Sequence, residues 1–325
     1  MSATPPRRVV VTGGAGFVGS WLCEALLDDG ASVVCVDNLL TGRQDNVADL
    51  LDRPGFEFLQ RDICEPLDVP GDVDWVLHLA SPASPPHYLA MPIETMRVGS
   101  MGTMNALDLA ERKAARFVLA STSEVYGDPL LHPQPETYWG NVNPVGPRSV
   151  YDESKRFAEA LTTAYRTSRG LDTGIVRIFN TYGPRMRLDD GRAIPAFLTQ
   201  ALAGDPITVA GDGSQTRSIC FVTDTVAGIR ALAAADDAGP VNIGSPYEVS
   251  MLELAETVRD LVGTSSEITF VPLPQDDPRV RRPDTARAER LLGWRPVVGP
   301  DEGLKRTLEW FRGQLEARRL GHPGG

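Results

Sequence analysis

The stretch Thr12-Gly13-Gly14-Ala15-Gly16-Phe17-Val18-Gly19 lies between the apolar run RVVV and the helical pattern SWLCEALLDDG. Gly13 permits a tight turn, Gly16 lets the backbone approach a pyrophosphate, and Gly19 lets a helix pack closely on a sheet, while the helix N-terminus favours an anion. A glycine triplet alone is weak evidence, because a glycine-rich turn in an α/β protein without a cofactor has the same composition. Here strand and helix signals stand on both sides. Asp37 also ends the next apolar run, SVVCVD, where a carboxylate accepts from an adenosine ribose hydroxyl. Its charge would repel a ribose phosphate, so NAD is expected rather than NADP, with Arg43 the nearby cation that argues otherwise.

Downstream, apolar runs alternate with helical patterns. RVVVTG, SVVCVD, FEFLQRD, VDWVLHLA, RFVLAST and GIVRIFN read as strands, several apolar throughout, as a parallel sheet covered on both faces requires. Helices are expected between them at about 17 to 29, 94 to 113 and 149 to 169. This is the α/β pattern of a Rossmann doubly wound parallel sheet. After Asn180 the rhythm changes at Pro- and Gly-rich joints. The spacing predicts a helix at about 192 to 203, another beginning after VTD at 224, and VNIG as a last sheet strand. Ser250-Met-Leu-Glu253 is a capping box. Asp284-Thr285 and Asp301-Glu302 open the last two helices, the first ending at Gly293. The expected organisation is an NAD-binding domain over 1–180 plus about 218–245, a smaller, partly interleaved C-terminal substrate domain over 181–217 and 246–315, and a loose tail at 316–325. The cleft between the two is the natural ligand site.

Composition removes other classes. A net charge of -11 opposes a nucleic-acid surface, though not a local basic pocket for a phosphorylated small molecule. No apolar run is long enough for a membrane span, and no signal sequence precedes the first strand, so a cytoplasmic protein without a membrane partner is expected. Cys23, Cys35, Cys64 and Cys220 lack metal-like spacing and read as reduced packing residues; no metal site is expected. The histidines, His78, His87, His132 and His322, are scattered and are assigned no role.

Tyr151 and Lys155 lie four apart on one helix and share a face. A phenol of pKa about 10 needs about 4 kcal/mol of differential stabilisation to titrate near 7. A neighbouring ammonium and an oxidised nicotinamide supply charge of the right sign. Of 32 basic residues only Lys113, Lys155 and Lys305 are lysines, so Lys155 escapes a strong arginine bias. Its compact head can reach ribose hydroxyls and the phenol, which a planar guanidinium meets differently.

With these residues the sequence resembles the extended short-chain dehydrogenase/reductases that modify nucleotide sugars, and within them the UDP-glucuronate decarboxylases. The likeness covers essentially the whole chain and is carried by GGAGFVGSWL, VDNLLTGR, HLASPASPPHY, ASTSEVYGDP, HPQPETYWGNVNPVGPRSVYDESKR, RIFNTYGPRM, GDGSQTRS and QDDPRVRRPD. The resemblance implies Tyr151 as redox base, Lys155 as its partner, Thr122, Ser123 and Glu124 near the reacting carbons, and Arg217 as a further catalytic candidate. Tyr88 and Arg217 would face the sugar, and Asn180 and Arg281 would hold the uridine diphosphate. Cofactor contacts would extend over Gly13, Gly16, Phe17, Val18, Gly19, Asp37, Asn38, Asp62, Ile63, Leu79 and Ala80, besides Tyr151 and Lys155. It also implies UDP-glucuronic acid as substrate, and a homodimer formed through the helices near 94 to 113 and 149 to 169.

Ser123-Glu124 separates this chemistry from its sisters. Related 4,6-dehydratases carry Asp-Glu after the threonine, one carboxyl protonating the departing carbon-6 hydroxyl and the other taking the carbon-5 proton. A decarboxylase substrate already has a carboxylate at carbon 6. An aspartate about 4 Å from it would cost up to about 4 kcal/mol at an effective dielectric near 20, and serine avoids that repulsion. Glu124 is itself awkward near that carboxylate unless held aside or protonated. A 4,6-dehydratase, a 4-epimerase or a silent NAD-binding scaffold are the competing readings.

Overall fold

The computed structural model describes residues 6–319. Seven parallel strands form the main sheet: β1 (Arg8–Thr12), β2 (Ser32–Asp37), β3 (Phe56–Gln60), β4 (Trp75–His78), β5 (Arg116–Thr122), β6 (Thr173–Ile178) and, after a long excursion, β11 (Val241–Ile243). Their order is β11-β6-β5-β4-β1-β2-β3. The direction of winding reverses between β1 and β4, so the connections there leave to opposite faces and open a crevice at the carboxyl ends. All of β5 is buried, and β1 and β2 bury every residue but the first. That is why these runs are apolar without alternation, each buried Val or Leu contributing roughly 1.5–3 kcal/mol.

Helix α1 (Phe17–Asp28) follows the glycine loop. The helix expected over 94 to 113 is more broken than its periodicity suggests. After α2 (Pro85–Ala90), α3 (Pro92–Arg97) runs into a single π turn at Val98–Gly102 before α4 (Thr103–Lys113) resumes. Close packing accounts for the widened turn: a Cβ on Gly99 would lie 2.5 Å from the Ser154 Cβ of α5 (Ser149–Arg169). α5 buries Tyr151, Ser154, Lys155, Ala158, Thr162 and Tyr165 along one stripe and stops at Gly170, whose φ of +70° is left-handed.

Beyond β6 the chain makes short pairs. β7 (Thr181–Tyr182) pairs with β10 (Cys220–Phe221), β8 (Ile207–Ala210) with β13 (Ile268–Val271), and β9 (Thr216–Ser218) runs antiparallel to β12 (Glu248–Ser250). α6 (Ala193–Ala203) packs against α8 (Met251–Val262), while α7 (Val222–Ala233) packs on α1 and β6. The capping box of α8 is formed: Ser250 Oγ accepts from the Glu253 N–H at 3.2 Å, and the Glu253 carboxylate from the Ser250 N–H at 2.9 Å. α7 starts two residues before the expected position, at Val222. Asp224 is inside the helix, where its carboxylate accepts from the N–H groups of Val297 and Val298 at 3.0 and 2.9 Å and fastens the approach to the last helix. α9 (Ala286–Leu292) begins beside Asp284, which accepts from the Ala286 N–H, and ends at Gly293. α10 (Pro300–Arg319) continues past the boundary expected at 315, burying Leu304, Leu308 and Phe311. Of the tail expected to be loose at 316–325, residues 316–319 are helical and 320–325 lie outside the described residues. No helix among the described residues is long and apolar enough to cross a membrane.

Candidate active site

A cavity of about 1000 Å³ lies over the carboxyl ends of the strands and is lined by every candidate site residue, from Gly13 at one end to Arg281 at the other. Its floor is the glycine loop. Gly13 has φ +72°, and a Cβ there would lie 2.7 Å from the Ala80 nitrogen; a Cβ on Gly19 would collide with the Gly13 carbonyl. Only glycine lets loop, helix and the end of β4 meet this closely. Asp37 is buried and accepts from the N–H groups of Ala15 (3.0 Å) and Leu39 (2.8 Å). Burial raises its carboxyl above the ordinary value, and those two bonds hold it back. Arg43 pairs with Asp45 at 3.0 Å and is not part of the cavity wall. The floor therefore fits a dinucleotide, with the Asp37 carboxylate at the ribose end.

His78, at the end of β4, is buried between the hydroxyls of Thr12 (2.7 Å) and Thr103 (3.2 Å), and burial, then the Lys155 charge, pushes it down to about 3. It is a neutral tie between sheet and helix.

Thr122 closes β5, and its hydroxyl accepts from the Glu124 N–H at 3.2 Å and lies on the side of the Tyr151 phenol, whose ionised form it favours. Tyr151 stacks on Tyr88 with ring centroids 5.2 Å apart and planes 5° from parallel. The Tyr88 hydroxyl is buried without a hydrogen-bond partner among the described residues. Burial raises the Tyr151 phenol above its ordinary value, opposed by the Thr122 hydroxyl. Lys155 does not donate to the phenol: its ammonium donates to the Ala120 carbonyl at 2.9 Å and stands 6.0 Å from the Tyr151 ring centroid. Burial lowers it to about 8, against the pull of Glu159.

Glu124 is held aside as an anion. Both its oxygens receive Arg281, one at 2.8 Å, and one also receives Arg148 at 2.7 Å. Burial would raise this carboxyl, but the guanidiniums of Arg281 and Arg148 prevail and hold it at about 2. Asp277 in turn pairs with Arg217 at 2.7 Å and Arg148 at 3.4 Å. Three guanidiniums thus share two carboxylates beside the uncharged Ser123, leaving positive charge for an anion. Asn180, beyond β6, presents a buried side-chain N–H group with no partner among the described residues.

Sequence reasoning missed Arg148, Asp277 and Arg192. Arg148 stands three residues before Tyr151, a spacing that puts it on the same side of the helix start. Arg192 pairs with Asp190, and its charge is felt at Tyr151. Asp277 had no local signal, since its partners lie 60 and 129 residues away.

The chain belongs to the NAD dependent epimerase/dehydratase family, whose model matches residues 9–244. Among its curated relatives, UDP-glucuronic acid decarboxylase 1 of Xenopus tropicalis is 49% identical over 316 residues, covering 97% of this chain and 75% of the relative. UDP-glucuronic acid decarboxylase 5 of Arabidopsis thaliana is 50% identical over 309 residues, covering 95% and 90%. Among solved structures, a dTDP-glucose 4,6-dehydratase of Streptomyces venezuelae with NAD bound is 30% identical, with a TM-score of 0.86 over 94% of this chain and 97% of the other. A UDP-glucuronic acid 4-epimerase variant of Bacillus cereus, in complex with NAD and a fluorinated UDP-glucuronic acid, is 28% identical, with a TM-score of 0.84 over 94% and 99%.

Proposed function

We propose that the protein is a UDP-glucuronate decarboxylase that converts UDP-glucuronic acid to UDP-xylose and carbon dioxide with a retained NAD. The carrying observation is the pairing of an uncharged Ser123 with a Glu124 already neutralised by Arg148 and Arg281. That arrangement accepts a sugar carboxylate where a second free acid would repel it, and it lacks the acid a 4,6-dehydratase needs. Relatives of about half identity bearing the decarboxylase name support the same reading over an epimerase.

The glycine loop, Asp37, Asn38, Asp62 and Ile63 hold the adenosine and pyrophosphate end of the cofactor, and Leu79, Ala80 and Lys155 the remainder. NAD bound there supplies a hydride acceptor for carbon 4 and afterwards the hydride that restores it. Tyr151, through the Thr122 hydroxyl, takes the carbon-4 hydroxyl proton. Burial alone disfavours the phenolate, so the reaction draws on positive charge nearby: Lys155, Arg192 and the oxidised cofactor. The ketone so formed is β to the carboxylate, and carbon dioxide leaves as the bonding pair enters an enolate whose oxygen faces Tyr151 and Thr122. Arg217 orients the sugar carboxylate; a guanidinium is no proton donor. Arg281 and Asn180 hold the diphosphate and uridine, and Tyr88 pads the sugar.

A homodimer is part of the proposal, supported by exposed apolar side chains along α3, α4 and α5: Ile93, Met96, Met104 and Phe157. Incubation with UDP-glucuronic acid and no added NAD tests the function. Stoichiometric carbon dioxide with UDP-xylose, seen by proton NMR, supports it; no reaction even with NAD added refutes it.

A further inference from the structure

Decarboxylation as proposed above consumes one proton, which must reach carbon 5. Glu124 is ionised between two guanidiniums, the arginines are too weakly acidic, Lys155 is committed to the Ala120 carbonyl, and the proton on Tyr151 is needed at the carbon-4 oxygen.

Behind the Glu124–Arg148 pair is a second cavity of about 280 Å³, whose wall includes Asp152, Asn143, Asp276, Arg148 and Asp277. The last two also line the main cavity and form the partition between the chambers. Asn143 and Asp276 are exposed, so the rear chamber meets solvent, and at about 30 Å³ per water it has room for several. Asp152, next to Tyr151 on α5, is only 5% exposed, and its Oδ1 is buried without a hydrogen-bond partner among the described residues. An ionised carboxylate would not be left so.

Resting on the decarboxylase reading, we propose that Asp152 is the proton reservoir of the reaction, supplying carbon 5 from the rear chamber through water past Arg148. The bond from carbon 5 to the carboxylate breaks, its electron pair enters the enolate, and carbon dioxide leaves. The new C–H bond takes a proton from the water chain, Asp152 replaces that proton and becomes a carboxylate, and solvent reprotonates it. The charges facing Asp152 agree: burial and repulsion from Glu124 raise it to about 8, Arg148 and Arg281 oppose, and Glu153 on its own helix adds to the rise. Asp128, Asp276 and Asp277 line the same chamber.

Asp152→Asn is nearly isosteric with the protonated acid and should fold as the wild type does. With it, UDP-glucuronic acid should give a burst of about one carbon dioxide per site, then turnover at least 10-fold slower. Bound reduced nicotinamide should accumulate at 340 nm while KM stays within about twofold, and D152E should recover part of the rate. Wild-type kcat should fall as pH rises through about 8, and D152N should lose that limb. Independently of turnover, carbon-13 NMR of the wild-type carboxyls, assigned by difference against D152N, should show one titrating well above the ordinary range. Titration near the ordinary value of 3.8, or wild-type turnover in D152N, overturns the inference alone. A wild type that releases no carbon dioxide overturns the decarboxylase reading and the reservoir with it.

Discussion

Replacing Glu124 by Gln tests the electrostatic frame of the site. The folded carboxyl sits at about 2, against an ordinary 4.5. At about 1.36 kcal/mol per pH unit, the gap is worth about 3 kcal/mol. Because the folded value is the lower one, this stabilisation is present above pH 4.5 and is lost as the pH falls toward 2. Glutamine keeps the shape but withdraws the charge from Arg281, whose side chain is 4% exposed, and leaves Arg148 only its longer contact to Asp277. Removing one partner of a buried pair costs about 3–5 kcal/mol, consistent with the linkage figure. For a chain of this size the expected drop in Tm at pH 7 is roughly 4–7 °C, with the gap to wild type closing as the pH is lowered toward 3. Thermal melts of both proteins across that range give the result. Arg281 would also be freed, so UDP affinity should change together with kcat, whereas the sequence had suggested a residue at the reacting carbons alone. Melting within 1 °C of wild type at pH 7 (about 0.7 kcal/mol or less), or a gap that ignores pH, would refute the reasoning.

Gly19→Ala forces a Cβ into the Gly13 carbonyl, backbone against backbone. It should lower Tm and weaken NAD binding at least about 100-fold by calorimetry, and normal binding would show that the loop has slack. Asn180→Ala removes a buried side-chain N–H group that has no hydrogen-bond partner among the described residues. UDP-sugar affinity should fall about 10-fold, or about 1.4 kcal/mol, with Tm unchanged; a lower Tm with unchanged affinity would assign Asn180 to the fold. Tyr151→Phe should keep the stack on Tyr88 and the Tm while kcat falls about 10²- to 10⁴-fold, and a smaller loss would give the base role to another residue.

The sheet was readable because strands buried on both faces leave continuous apolar runs, and RVVVTG, SVVCVD and RFVLAST carry enough of them to fix β1, β2 and β5. Local chemistry was equally readable: the glycine loop, the Ser250–Glu253 cap, and the four-residue spacing of Tyr151 and Lys155. What escaped depends on distant partners. Glu124 meets Arg281 157 residues away, and nothing near either residue announces the pairing. β8 pairs with β13 across some sixty residues of chain, a register set by packing rather than pattern. The π turn at Val98–Gly102 follows from how closely Gly99 approaches Ser154, a constraint that helical periodicity does not contain. The helix expected after VTD starts at Val222 instead, because the Asp224 carboxylate is taken up by the backbone of the loop before α10, a partner more than seventy residues away.

The Glu124–Arg281 pair also bears on how such a chain can diversify. The cavity-lining residues proposed for the dinucleotide all lie at or before Lys155, whereas Asn180, Arg217 and Arg281 arrive from later segments. Exchanging the segments around Arg217 and Arg281 between related chains should change the sugar end of the cavity and leave the glycine loop in place, provided β6, α7 and β11 are kept with the sheet they complete. The limit on such recombination is one carboxylate: a transplanted segment lacking the Arg281 guanidinium leaves the buried Glu124 with Arg148 alone, so the first position at which a chimera should weaken lies at the end of β5, far in sequence from the graft.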